Sequence, residues 1–153
     1  MEKIASFTVN HDTLTPGLYT SRVDGDVVTY DLRTNLPNCG DYLGNDEMHT
    51  FEHLFATYAR NSTAADKIVY FGPMGCRTGF YLLVRDSLSP AQSISLIQEV
   101  LGKIAVHSGE LPGASRIECG NYAEHSIPKA KALAARTAAI LEGWTPEMLV
   151  YKP

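Results

Sequence analysis

Between positions 18 and 33 (LYTSRVDGDVVTYDLR), β-branched and aromatic residues flank Asp24-Gly25, a pair suited to a turn with φ > 0. That pattern predicts a β-hairpin. The apolar period then changes. Met48, Phe51, Phe55 and Tyr58 recur at helical spacing, which predicts a helix from about Asp46 to Asn61, capped by Asn45 or Asp46. Two apolar runs follow, KIVYFG (67–72) and GFYLLV (79–84), read as neighbouring strands around the turn PMGCRT. Ser89-Pro90-Ala91-Gln92 combines a capping box with proline at the first helical position. Ile94, Ile97, Leu101 and Ile104 mark the buried face of the helix that it starts, with Gly109 as its expected stop. A loop, GELPGAS (109–115), leads to an expected short strand and the segment ECGNYAEH (118–125). An Ala-rich helix from about Ile127 to Glu142 ends the series, with Gly143 as terminator.

Strands and helices mix here without a repeating βαβ rhythm, and no linker or internal repeat divides the chain. The expected class is α+β: one domain over residues 1–153, a two-layer sandwich of mainly antiparallel sheet with helices packed on one face. Composition agrees, with 44% hydrophobic and 20% charged residues. A net charge of −4 and scattered Lys and Arg give no electrostatic footprint for nucleic acid. The opening MEKIASFTVNHD has no apolar core of a signal peptide, and no apolar stretch reaches membrane-spanning length. A cytoplasmic location is expected. In a reducing compartment the three widely spaced cysteines, Cys39, Cys76 and Cys119, read as thiols, ligands or nucleophiles rather than a disulfide framework.

His49-Thr-Phe-Glu52-His53 changes the picture most. Residues four apart share a helical face, so both imidazoles can address one ion, and Glu52 falls beside them as a general acid/base. This H-x-x-E-H order is that of inverted zinc peptidases, yet two surface histidines on an ordinary helix would look the same. A catalytic metal site needs a third ligand. Cys119, preceding the flexible Gly120-Asn121, is the candidate, and as a thiolate it would give a His₂Cys site suited to Fe(II), Zn(II) or Co(II). Its alternative is a small buried hydrophobe. Cys76, in the Gly-rich turn GPMGCRTG (72–79), is either inert or a thiolate favoured by the adjacent Arg77 and by backbone N–H groups. Cys39 is read as structural, and His107 as a cation at a helix C-terminus. His125 receives no role.

Five segments in order, SFTVNHD (6–12), DLRTNLPN (31–38), HTFEHLFATYAR (49–60), GPMGCRTGFYL (72–82) and ECGNYAEHS (118–126), resemble the S-ribosylhomocysteine lyase (LuxS) family along nearly the whole chain. The resemblance implies that His49, His53 and Cys119 ligate one Fe(II) per subunit, with Zn(II) or Co(II) as substitutes. Glu52 and Cys76 match the family's acid/base pair; Ser6, His11 and Arg33 match its substrate contacts. It further implies a homodimer with active sites at the interface, and a product that is the precursor of a quorum-sensing signal. Thr34, Leu36 and Gly72 depart from the family's pattern, where an aromatic, a Gln and a Ser are expected. An inverzincin-like metallopeptidase using Glu52 to activate water is the alternative enzyme, and a metal-stabilised binding protein the non-enzymatic one.

Overall fold

The hairpin forms where the sequence places it. In the computed structural model, which describes residues 1–152, β1 (Gly17–Asp24) and β2 (Val27–Arg33) pair antiparallel with Asp24 opposite Val27. Gly25 at the turn takes φ +60°, a region open to glycine at little cost. β3 (Ile68–Pro73) and β4 (Gly79–Arg85) form the second hairpin, and the sheet order is β1-β2-β4-β3, antiparallel throughout. Helices α1 (Asn45–Arg60), α2 (Pro90–Ala105) and α3 (Ile127–Ile140) pack against one another, and α1 lies on β3. The α+β sandwich is therefore the observed architecture.

Side-chain alternation decides what each face of the sheet does. Leu18, Tyr30, Leu32, Phe80 and Leu82 turn towards the helices and are almost fully buried. Phe51 and Phe55 of α1 meet them, with Phe55 stacked on Phe71 at 3.9 Å between ring centroids and Phe71 on Phe80 at 5.3 Å. Each such ring contributes about 1.5–3 kcal/mol relative to exposure. The intervening residues Asp31, Arg33 and Tyr81 point to the opposite face, Asp31 directly across from Tyr81 and Arg33 from Gly79. That face carries the N-terminal 3₁₀ turn (Ala5–Phe7) and Tyr151 from the C-terminal segment, whose ring stacks on Tyr19 at 5.0 Å.

Helix boundaries follow the hydrogen bonds available locally. Ser89 caps α2 as expected: its hydroxyl accepts from Gln92 N–H, and Gln92 Oε1 accepts from Ser89 N–H. α2 ends at Ala105, four residues before Gly109, and α3 ends at Ile140. α1 begins at Asn45 with Gly44 as its cap. The Glu47 carboxylate accepts from Gly44 N–H, which makes the Asn45 or Asp46 cap unnecessary. The short strand expected before 118 is absent; residues 112–124 form successive turns that wrap against α1. They have no sheet edge beside them, so propensity alone misleads there. His107, just beyond the end of α2, has a side-chain partner: its Nδ1 lies 2.8 Å from Tyr58 Oη.

Candidate functional site

One turn of α1 and the loop before α3 build a cluster of metal-type donors. His49 and His53 project from the same side of α1, opposite the buried Phe51 and Phe55. Each ring is held from behind by a carbonyl: His49 Nδ1 donates to Glu124 O at 3.1 Å and His53 Nδ1 to Pro112 O at 3.0 Å. A carbonyl only accepts, so each Nδ1 carries a proton, and in the neutral ring Nε2 is the free acceptor. The two Nε2 atoms face Cys119 Sγ, at 3.4 Å from His49 and 4.0 Å from His53. Turns closed by Glu118 N–H and Cys119 N–H on Ser115 O bring the sulfur there, and Asn121 N–H donates to it at 3.4 Å.

His125, which the sequence left without a role, completes this group. Its Nε2 lies 3.9 Å from Cys119 Sγ, and its ring stacks on His49 at 4.0 Å. Thr50 fixes its tautomer. The Thr50 hydroxyl donates to Asp46 O at 2.7 Å and accepts from Ser126 N–H at 2.7 Å, so towards His125 Nδ1, 3.2 Å away, it is an acceptor. Burial, and then the neighbouring His49 and His53, hold the His125 imidazole below its ordinary pKa. The signal in the sequence was its place six residues after Cys119, on the same wrapped loop, which periodicity does not register.

The four ligand atoms lie within 4.8 Å of one another. A tetrahedral ion with nitrogen at about 2.0–2.1 Å and sulfur at about 2.3 Å sets its N and S donors about 3.6 Å apart. The observed 3.4, 4.0 and 3.9 Å bracket that value, so the donor set fits a metal ion. Glu52 sits between the two α1 histidines in sequence, half-buried on the helix flank that bears them.

The remaining candidate residues lie apart from this group, on the other side of the sheet. Ser6, His11, Arg33 and Cys76 share a cavity of ≈ 360 Å³ with Asp31 and Tyr151; none of the four metal-type donors lines it. Asp31 (1% exposed) and Arg33 (3% exposed) form a two-point ion pair: Nε to Oδ1 at 3.1 Å and Nη2 to Oδ2 at 2.7 Å. Tyr151 Oη donates to the same carboxylate at 2.9 Å. Burial and the Asp31 charge push the Tyr151 phenol well above its ordinary range. His11 Nδ1 donates to Val9 O at 3.0 Å, so in the neutral ring its Nε2 is an acceptor.

The cation beside Cys76 is Arg33, not Arg77 as the sequence suggested. Arg77 adopts φ +59° and carries its guanidinium over the Tyr42 ring, 5.7 Å from its centroid. Arg33 Nη1 instead reaches Thr78 Oγ1 at 2.6 Å and Cys76 Sγ at 3.7 Å. Gly79 allows the approach, since a Cβ there would sit 2.6 Å from Leu32 O and 3.1 Å from Arg33 Cα. Partial burial opposes the Cys76 thiolate, but Thr78 hydrogen bonds and the Arg33 charge outweigh it, and the thiol is held below its ordinary pKa. Cys39 is exposed with no partner in this cavity, and all three cysteines are free thiols.

The departures are local. Thr34 is buried, its hydroxyl donating to Asn35 Oδ1 and Thr78 O. Leu36 is exposed, and a Cβ at Gly72 would run into the Tyr70 ring.

Residues 4–147 match the family model described as S-Ribosylhomocysteinase (LuxS). The chain is 47% identical to the S-ribosylhomocysteine lyase of Clostridium acetobutylicum and 48% identical to that of Clostridium beijerinckii. In both cases the alignment covers 99% of this chain and 99% of the relative. It is 44% identical, at the same coverage, to the S-ribosylhomocysteine lyase of Borreliella afzelii.

Proposed function

The chain belongs to the S-ribosylhomocysteinase (LuxS) family, and from that premise we propose that it cleaves S-ribosylhomocysteine to homocysteine and 4,5-dihydroxy-2,3-pentanedione. The observation that carries the reading is the convergence of His49, His53 and Cys119 donor atoms in a chain of this family. These three residues would hold Fe(II), one ion per subunit, with Zn(II) or Co(II) as substitutes, and His125 offers a further nitrogen beside them. When bound, a divalent ion supplies Lewis acidity that favours carbonyl migration along the sugar.

The C–S bond of this thioether lacks a neighbouring carbonyl, so direct cleavage has no means of stabilising the carbanion. Moving the carbonyl from C1 to C2 and then to C3 makes the C4 proton acidic, and β-elimination then expels homocysteine as its thiolate. Cys76 acts as the base that takes and returns protons at C2 and C3, a role supported by its depressed pKa. Glu52 moves protons among the sugar oxygens and in the elimination. Ser6 and His11 bind the substrate through the hydroxyl and the imidazole Nε2 that they bring to the cavity. Arg33, occupied on three sides, both borders the substrate cavity and holds Cys76.

A homodimer with active sites at its interface follows from the same reading. It is supported by the division of the working groups between two faces of the sheet, which a second copy can bring together. Exposed apolar side chains adjoin each group: Phe7 (70% exposed) at the cysteine cavity and Ile117 (94%) two residues before Cys119. No helix of the described residues is long and apolar enough to cross a membrane, and three free thiols suit a reducing, cytoplasmic compartment. Supply of a quorum-sensing precursor and recycling of homocysteine are the proposed physiological outcomes.

The inverzincin-like peptidase is not favoured, because the donor beside the two α1 histidines is sulfur rather than a carboxylate. One assay tests the proposal. Protein metallated without oxygen is incubated with S-ribosylhomocysteine and the released thiol is measured. Thiol release is expected; peptide cleavage without it would favour the peptidase, and neither would favour a binding protein.

A further inference from the structure

Thr78 lies at the centre of the buried polar chain behind Cys76, and neither the lyase chemistry nor the substrate contacts give it a task. It is 2% exposed. Its hydroxyl stands 2.6 Å from Arg33 Nη1 and 3.1 Å from Cys76 Sγ.

The direction of each proton follows from what each group can do. A guanidinium only donates, so Thr78 Oγ1 accepts from Arg33. The hydroxyl's own proton is then free for Sγ. If Cys76 were an S–H donor to Thr78, the hydroxyl would accept twice and its proton would lack a partner within the chain. The thiolate is the state in which every group is satisfied. Arg33 also reaches the sulfur, but only at 3.7 Å, because Asp31 grips it at both Nε and Nη2, and Tyr151 holds Asp31 from the C-terminal segment.

We propose that Thr78 is a positioning residue for the proton-transfer thiol: its hydroxyl, oriented by Arg33, donates to Cys76 Sγ and keeps the sulfur ionised and aimed into the cavity. This rests on the reading of Cys76 as the base of the lyase reaction. Other ionisable groups share the cavity: Asp31 and Arg33 from β2, Tyr81 from β4, His11 from the N-terminal segment and Tyr151 from the C-terminal one. Of these only Arg33 also donates to Sγ, and from farther away than Thr78 Oγ1 at 3.1 Å. Arg33 is closest at 3.7 Å, and it is already tethered.

The test needs no substrate, which separates its failure from failure of the lyase reading. Metal-loaded protein is treated with iodoacetamide across a pH series, and alkylation of Cys76 is followed by peptide mass spectrometry. Thiolate is the reacting form, so the rate profile reports the thiol pKa. Wild type should show a midpoint below that of a free cysteine. Thr78→Val should raise the midpoint by about one pH unit or more, the scale of a hydrogen bond to a charged group. Thr78→Ser, which keeps the hydroxyl, should restore it. With S-ribosylhomocysteine, Thr78→Val should lower kcat while KM changes little. A wild-type midpoint in Thr78→Val would overturn the proposal, and so would an equal shift in Thr78→Ser. If Thr78→Val does not fold by circular dichroism, Thr78→Ala against Thr78→Ser supplies the same comparison.

Discussion

Replacing Thr50 by valine removes one oxygen at almost constant volume, yet that oxygen joins α1 to the loop that carries Cys119. The Thr50 side chain is fully buried, and its hydroxyl accepts from Ser126 N–H and His125 Nδ1–H while donating to Asp46 O. In Thr50→Val two half-buried donors lose their acceptor, at the lower end of about 1–3 kcal/mol each, so the expected destabilisation is about 2–4 kcal/mol. For a chain of this size 1 kcal/mol shifts Tm by about 2–4 °C, which places the loss at about 4–16 °C. Thr50→Ser keeps the hydroxyl and gives up one methyl, about 1 kcal/mol. Ser126 caps α3 and His125 precedes it, so the loosening falls on the segment that presents Cys119, and metal affinity should fall with stability. Thermal unfolding by circular dichroism, with and without metal, and competition against a chelator measure both effects. A Thr50→Val variant melting within about 2 °C of wild type would refute the proton assignments around this hydroxyl. So would a serine variant as unstable as the valine one.

Cys119→Ala should lower metal content measured by elemental analysis, and unchanged content would remove it from the ligand set. Cys76→Ala should keep its metal, since Cys76 lies in the other cavity, yet lose thiol release from S-ribosylhomocysteine. Asp31→Ala should cost about 3–5 kcal/mol in urea unfolding, because it strands the buried Arg33 guanidinium without its counter-charge. Gly17→Ala should lower Tm, because its Cβ would stand 2.5 Å from the Trp144 ring; an unchanged Tm would mean that Trp144 can retreat.

The elements were legible where a local rule settles them. Asp24-Gly25 fixes a hairpin turn, Ser89 and Gln92 cap each other within four residues, and the apolar period of α1 leaves one way to bury Phe51 and Phe55. The pairing of His49 with His53 was equally local, since four residues on a helix is a fixed distance. The expected strand before 118 failed because a strand needs a neighbouring edge, which sequence pattern does not supply.

What lay beyond the sequence are relations between residues far apart in the chain. Position 119 meets 49 and 53 because the loop from 112 to 125 is pinned to α1 by carbonyls and by Thr50, so His125 arrives with it. The partner of Cys76 illustrates the same limit. Its sequence neighbour Arg77 turns away on a left-handed backbone, whereas Arg33, forty-three positions earlier, is carried to it by the β2–β4 register. Sequence by itself marked His49, His53, Cys76 and Cys119 as candidates and fixed which pairs sit on one helical turn. The tertiary structure alone decided which charge stands beside which thiol, because strand register and loop closure are set by the whole core and not by adjacent residues.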